Sequence, residues 1–165
     1  MGRLIQTELA QAIPSPVDLC QLEKFSANRG PAIGALIICM PGVVWDLAQL
    51  LPRGRSLVPL EPSKADEQVG LVRTFEQPSL IALVSISPYF LSLAEAVLAP
   101  FVGTRHTLEA YLLRDGESKD LSGADVVFCD SLTAGPVKAP NVVPYRIVSE
   151  QQAREIGGLI QARQD

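Results

Sequence analysis

Apolar positions in this chain gather into runs that twice end on a proline, and each proline is followed by positions spaced for a helix. Gly34 to Met40 precedes Pro41, after which Val43, Val44, Leu47, Leu50 and Leu51 mark one helical side, then Pro52, Gly54 and the run Ser56 to Leu60. Leu80 to Ser87 precedes Pro88, after which Phe90, Leu91, Leu93, Ala94, Val97 and Leu98 repeat the spacing, then Pro100, Gly103 and the run Thr107 to Leu113. Proline suits the first turn of a helix because that turn has no use for its missing N–H. Each unit therefore predicts strand, helix, a Pro and Gly stop, and strand, the order of a βαβ crossover.

Around these units the pattern predicts further elements. Arg3 to Ile13 carries Leu4, Ile5, Leu9, Ala12 and Ile13 on one helical stripe. Pro14 and Pro16 stop it, and the alternation of Val17 to Leu22 predicts a short edge strand. A turn is expected at Asn28 to Pro31. Lys64 to Glu76 predicts an amphipathic helix ended by Pro78. Arg114 to Gly123 predicts a loop with one helical turn. Ala124 to Cys129, apolar almost throughout, reads as a buried strand of the parallel kind. Asn141 to Val148 predicts another strand, and Ser149 with Glu150 opens a last helix toward Ala162, weakened by Gly157 and Gly158.

Strands alternating with helices imply an α/β fold: a mainly parallel, doubly wound sheet or sheets with helices on both faces, made of two similar βαβ halves. The division expected is 1–77 and 78–165, with a hinge near Gln77 and Pro78, or a single compact domain.

Composition narrows the functional classes. A chain of 165 residues, 47% hydrophobic and 19% charged, can bury a core without disulfides. No apolar run approaches the roughly 20 residues that cross a bilayer, and Met1 to Ile13 lacks the apolar block of a secretory signal, so a cytoplasmic location is expected. A net charge of −4 with scattered basic residues argues against direct nucleic-acid binding, and the Arg53 and Arg55 pair reads as a solvated loop. Cys20, Cys39 and Cys129 lack metal or disulfide spacing and read as free thiols, two of them in apolar runs. The one histidine, His106, lies in a polar turn without ligand partners and reads as a surface residue. No metal and no cofactor is expected, since neither a P-loop, a dinucleotide glycine pattern nor a nucleophile elbow occurs. Trp45 reads as core or interface packing rather than a stacking platform.

In parallel sheets, ligands bind at the carboxyl ends of the strands, near a reversal of strand order. That rule selects Met40 and Gly42 after the first buried strand, Ser85 and Ser87 at the second, Asp130, Ser131 and Thr133 at the third, and Arg146 near the last. Hydroxyls and amides ahead of helix starts suit an anionic or polyhydroxylated ligand. Ser87 and Ser149 are equally plain helix caps, and Asp130 has three readings: capping the turn at Ser131 to Thr133, contacting a ligand, or pairing with Arg146.

The segments Ala82 to Leu91, Ala124 to Ser131 and Asn141 to Ser149 resemble, in texture and order, the carboxyl-terminal effector region of bacterial regulators that join a GntR-type winged helix to a periplasmic-binding-protein-like sensor. The likeness spans residues 35 to 155. It implies two similar α/β halves, a small metabolite in a cleft, a homodimer, and DNA binding through a winged-helix domain. The chain departs from that pattern in having no basic winged-helix segment, so it looks like a sensor region without its DNA-binding partner, or a stand-alone relative. The function expected is thus a ligand-sensing regulatory domain and not an enzyme. The alternatives are a small enzyme on an anionic metabolite, with Asp130 as base and Arg146 holding the anion, or a module dimerising through its first helix and Trp45.

Overall fold

The computed structural model describes residues 1–25, 34–52 and 55–163. The fold is α/β with parallel strands throughout its named sheets. Helices are α1 (Gly2–Ala12), α2 (Val44–Leu50), α3 (Asp66–Thr74), α4 (Pro88–Val102) and α5 (Glu150–Gln161). Strands are β1 (Ile37–Cys39), β2 (Leu57–Pro59), β3 (Leu80–Ser85), β4 (Thr107–Leu112), β5 (Lys119–Asp120), β6 (Val126–Asp130), β7 (Val137–Lys138) and β8 (Val142–Tyr145).

By contact the chain groups into two units, Met1 with Lys64–Arg146, and Gly2–Ser63 with Ile147–Asp165. Each unit holds one of the crossovers read from the sequence. Residues 64–77, which a boundary at 77 assigns to the first half, group with β3 to β8, while α5 groups with α1.

The unit of residues 64–146 is built on a four-stranded sheet ordered β4-β3-β6-β8. Its centre is apolar because β3 and β6 are buried on both faces, as strands inside parallel sheets must be. The register pairs Ile81 with Val126 and Leu83 with Phe128, which places these side chains on one face. Helix α4 covers that face: Phe90 meets Tyr145 at 5.6 Å between rings, and Tyr145 shares the face of Phe128 through β8. On the other face Ala82, Val84, Val127 and Cys129 cluster with Leu113, Leu121, Ala124 and Val137. Here the expected loop at 114–123 differs, since Lys119 and Asp120 form β5 and pair with β7. Leu113 just before it and Leu121 within it pack against the sheet, and pairing Lys119 with Val137 satisfies the backbone.

Helix α4 opens as its sequence implies, with Pro88 in the first turn and the Ser87 hydroxyl accepting from the Phe90 amide at 3.3 Å. Pro100, expected to help stop the helix, lies inside it. Leu98 and Val102 are both buried one turn apart and hold the last turn in place, so the stop falls on Gly103 at φ 57°, where a side chain would be strained. Pro144 in β8 is tolerated because β8 is an outer strand and Pro144 is exposed.

In the other unit β1 pairs with β2, and the Leu60 amide donates to the Cys39 carbonyl at 2.7 Å. Pro41 opens a 3-10 turn, Pro41–Val43, that continues into α2. The strand expected at 17–22 is not formed: the Gln6 side chain of α1 donates to the Val17 carbonyl at 2.9 Å, and among the described residues no strand lies beside this segment to complete a ladder. The turn expected at 28–31 lies outside the described residues, as does Arg53. Helix α5 runs through Gly157 and Gly158 because Ala153 and Ile156 are buried in its packing with α1.

The α1 stripe hides a carboxylate. Glu8, only 4% exposed, accepts from the amides of Ile147 and Val148, both at 2.8 Å. Replacing Glu8 by Ala leaves two buried N–H groups without acceptors and should lower stability by about 2–3 kcal/mol. Glu8→Gln keeps a carbonyl oxygen and should lose about half as much or less. Urea denaturation, with hydrogen exchange at the Ile147 and Val148 amides, checks both values.

Candidate functional site

Strand order reverses within the four-stranded sheet. The chain leaves β3 through α4 to reach β4 on one side, then returns to lay β6 on the other side of β3 and β8 beyond it. The reversal lies between β3 and β6, and at the carboxyl ends of these two strands the structure brings together Ser85, Ser87, Asp130 and Thr133.

Asp130 ends β6 and is fully buried. Its Oδ2 accepts from the Ser85 hydroxyl at 2.6 Å and the Ile86 amide at 2.9 Å. Its Oδ1 accepts from the amides of Leu132 at 2.8 Å and Thr133 at 2.9 Å. Both oxygens are thereby filled, one by the loop after β3 and the other by its own turn. A buried charge without such donors would be expelled, so the four bonds explain how it stays. The network extends outward: the Ser87 amide donates to Ser85 Oγ at 2.9 Å, and the Thr133 hydroxyl lies 3.2 Å from the Val84 carbonyl. The amino group of Met1 donates to Ser87 Oγ at 3.0 Å, its acidity raised by burial and opposed by the charge of Asp130.

Of the three readings of Asp130, capping the turn at Ser131 to Thr133 is the one its geometry fills. Among the described residues it makes no ion pair with Arg146, which is exposed one residue past the end of β8. The register of Asp130 with Tyr145 does set the next residues, Ser131 and Arg146, beyond neighbouring strand ends. Ser131 is half-buried. Met40, half-buried, and Gly42, exposed, belong to the other unit, at the carboxyl end of β1. Ser87 and Ser149 both cap helices, the second through the Gln152 amide at 3.1 Å.

Several readings from sequence meet a different environment. Trp45 is 81% exposed and contributes no core packing. His106 is half-buried, its ring 6.2 Å from that of Phe75. Among the described residues no cluster of His, Cys, Asp and Glu could hold a metal ion, and no helix is long and apolar enough to cross a membrane. Glu8 was missed by motif reasoning, although an acid one turn after Leu4 on an apolar stripe is a visible signal of a buried carboxylate.

Burial, and then the neighbouring Asp130 charge, push the Cys129 thiol up to about 12, while its contact with Thr133 acts the other way. Burial also raises Cys39. An unfolded chain would lose the Cys129 proton near pH 8.5. The unfolded state therefore releases this proton first, so its contribution to stability is intact below that pH and is lost as pH rises toward the folded value. Thiol titration of the folded protein at pH 8 should modify the exposed Cys20 rapidly and leave Cys39 and Cys129 unmodified until denaturant is added.

Asp130→Ala strips four donors of their acceptor and should cost about 3 kcal/mol or more. Ser85→Ala, which removes one donor and leaves the carboxylate three, should cost about 1–2 kcal/mol. Urea midpoints of both variants give the comparison.

No protein-family model, no curated protein and no solved structure matches this chain.

Proposed function

We propose that this chain is a ligand-sensing regulatory domain of a transcription regulator, of the GntR-effector kind that its sequence resembles, holding a small polar metabolite at the carboxyl edge of β3, β6 and β8. The observation that carries the reading is the coincidence of the strand-order reversal with the Asp130 network. At such a reversal the loops from adjacent strands diverge and leave room for a ligand. Asp130 holds the two loops that bound it, so backbone amides and hydroxyls there are fixed before a ligand arrives, which reduces the entropy lost on binding.

In this reading Asp130, Ser85, Ser87 and Thr133 frame the site, and contact falls to Ser131 and Arg146 at the rim. The guanidinium of Arg146 suits a carboxylate or phosphate group, and Ser131 a neighbouring oxygen. The protein works in the cytoplasm as a homodimer, with DNA bound by a winged-helix domain in the same regulator. Coupling requires that the metabolite favour one arrangement of the chain over another. The enzyme alternative finds less support, because a general base needs a free oxygen and both oxygens of Asp130 already accept two donors each.

Thermal-shift screening against carboxylated, phosphorylated and polyhydroxylated metabolites tests the reading. A compound present at 100 times its dissociation constant adds about 2.7 kcal/mol and so raises the melting temperature by several degrees. Arg146→Ala should remove that shift with little change in the melting temperature of the ligand-free protein. A shift retained by Arg146→Ala and Ser131→Ala together would remove the proposed contacts, and no shift from any class would remove the sensor reading.

A further inference from the structure

We infer that β4 is a pairing edge for a second copy of this chain, joined antiparallel about a two-fold axis at Ala110, so that the two four-stranded sheets become one. The inference goes beyond ligand sensing and stands on the geometry of β4 alone.

Among the described residues β4 has a neighbour on one side only, pairing all six of its residues in register with β3. Its other edge has none of the usual protection: it holds no proline and no bulge, and its single charge is Glu109. Thr107, Glu109, Ala110 and Leu112 are exposed, Leu112 by 56%.

The direction of the free backbone groups follows from the bonds to β3. The Thr107 amide donates to the Ser79 carbonyl and the Leu113 amide to the Ser85 carbonyl, both at 2.9 Å. Odd-numbered residues therefore face β3, and the N–H and C=O groups of Leu108, Ala110 and Leu112 point away from it. An added strand must meet these three. For two copies this excludes every register that sets an even-numbered residue against an odd one.

Two registers of greatest overlap remain. Centred on residue 109, the axis would bring the two Glu109 carboxylates face to face, which is unfavourable. Centred on Ala110, it pairs Leu108 with Leu112 of the second copy and Glu109 with Tyr111. The first pair covers the exposed Leu112 with another leucine. The second sets a carboxylate opposite a phenol, the two groups that already bond within one chain. Charge and shape thus select the same register, with the α4 layers of both copies on one side of the joined sheet, because Leu108 and Leu112 lie on the face of Ile81 and Leu83.

Sedimentation equilibrium of the full chain, at micromolar concentration and above, should show dimers. Ala110→Pro removes an N–H that β3 does not use, so the circular dichroism of the monomer should persist while dimer affinity falls by at least about tenfold. A cysteine variant gives the register without relying on that fold. Paired residues with outward hydrogen bonds lie about 5.5 Å apart between Cα atoms, a separation a disulfide spans. In a Cys20→Ala background, Ala110→Cys should cross-link to a covalent dimer under mild oxidation, and Thr107→Cys should not. A monomer at every concentration would overturn the inference, as would a dimer that survives Ala110→Pro and fails to cross-link through Ala110→Cys.

Discussion

A carboxylate with no exposure to water sits at the joint between the two central strands of the larger sheet, and the arrangement of the surrounding loops depends on it. Desolvating Asp130 is costly, and only donors already in position can offset that. The chain supplies them in pairs, Ser85 and Ile86 to one oxygen, Leu132 and Thr133 to the other. Because each pair comes from a different loop, the same four bonds that stabilise the charge fix the spacing of the loops. At the opposite end of these strands Asp125 plays a similar part, its Oδ2 accepting from the Leu80 amide at 2.7 Å. The β3–β6 pair is thus tied by an acid at each end.

The same device serves the second unit. Glu8 is carried on an apolar helix face and turned inward to two amides just beyond the end of the four-stranded sheet's chain segment, at Ile147 and Val148. Acids in this chain act repeatedly as acceptors for backbone N–H groups that no ladder satisfies. The effect is most economical where strands stop, since peptide groups there have lost their partners but remain out of reach of water.

A fixed framework at a strand-order reversal suits recognition better than proton transfer. Groups whose hydrogen bonds are all used hold shape, and in the proposed reading contact with the ligand is assigned to the less buried Ser131 and Arg146. Ligand and second copy are assigned to different parts of one sheet, the ligand to the strand ends of β3, β6 and β8 and the second copy to the outer edge of β4. A joined sheet would leave those strand ends open.

Much of the architecture was legible because it depends on local pattern. Proline before apolar spacing located both crossovers, the apolar run at 124–129 located the central strand β6, and Ser87 and Ser149 cap the helices that they precede. What failed were readings in which a distant neighbour decides. Among the described residues the alternation at 17–22 has no strand to pair with, Pro100 was carried along by the burial of Leu98 and Val102, and of the two packings read for Trp45 its exposure excludes the core. The candidate residues at strand ends followed from a rule about sheets, but whether Asp130 capped, paired or contacted could not be read from its neighbours in sequence. Sequence alone determined the two crossovers, the buried strand of β6, the helices α1, α3, α4 and α5 and the parallel α/β class, because periodicity and helix signals act over a few residues. Tertiary structure decided which strands adjoin, and with that the reversal between β3 and β6, the Ser85 and Ile86 donors of Asp130 and the exposed edge of β4, because those depend on groups far apart in the chain, Ser85 standing 45 positions from Asp130.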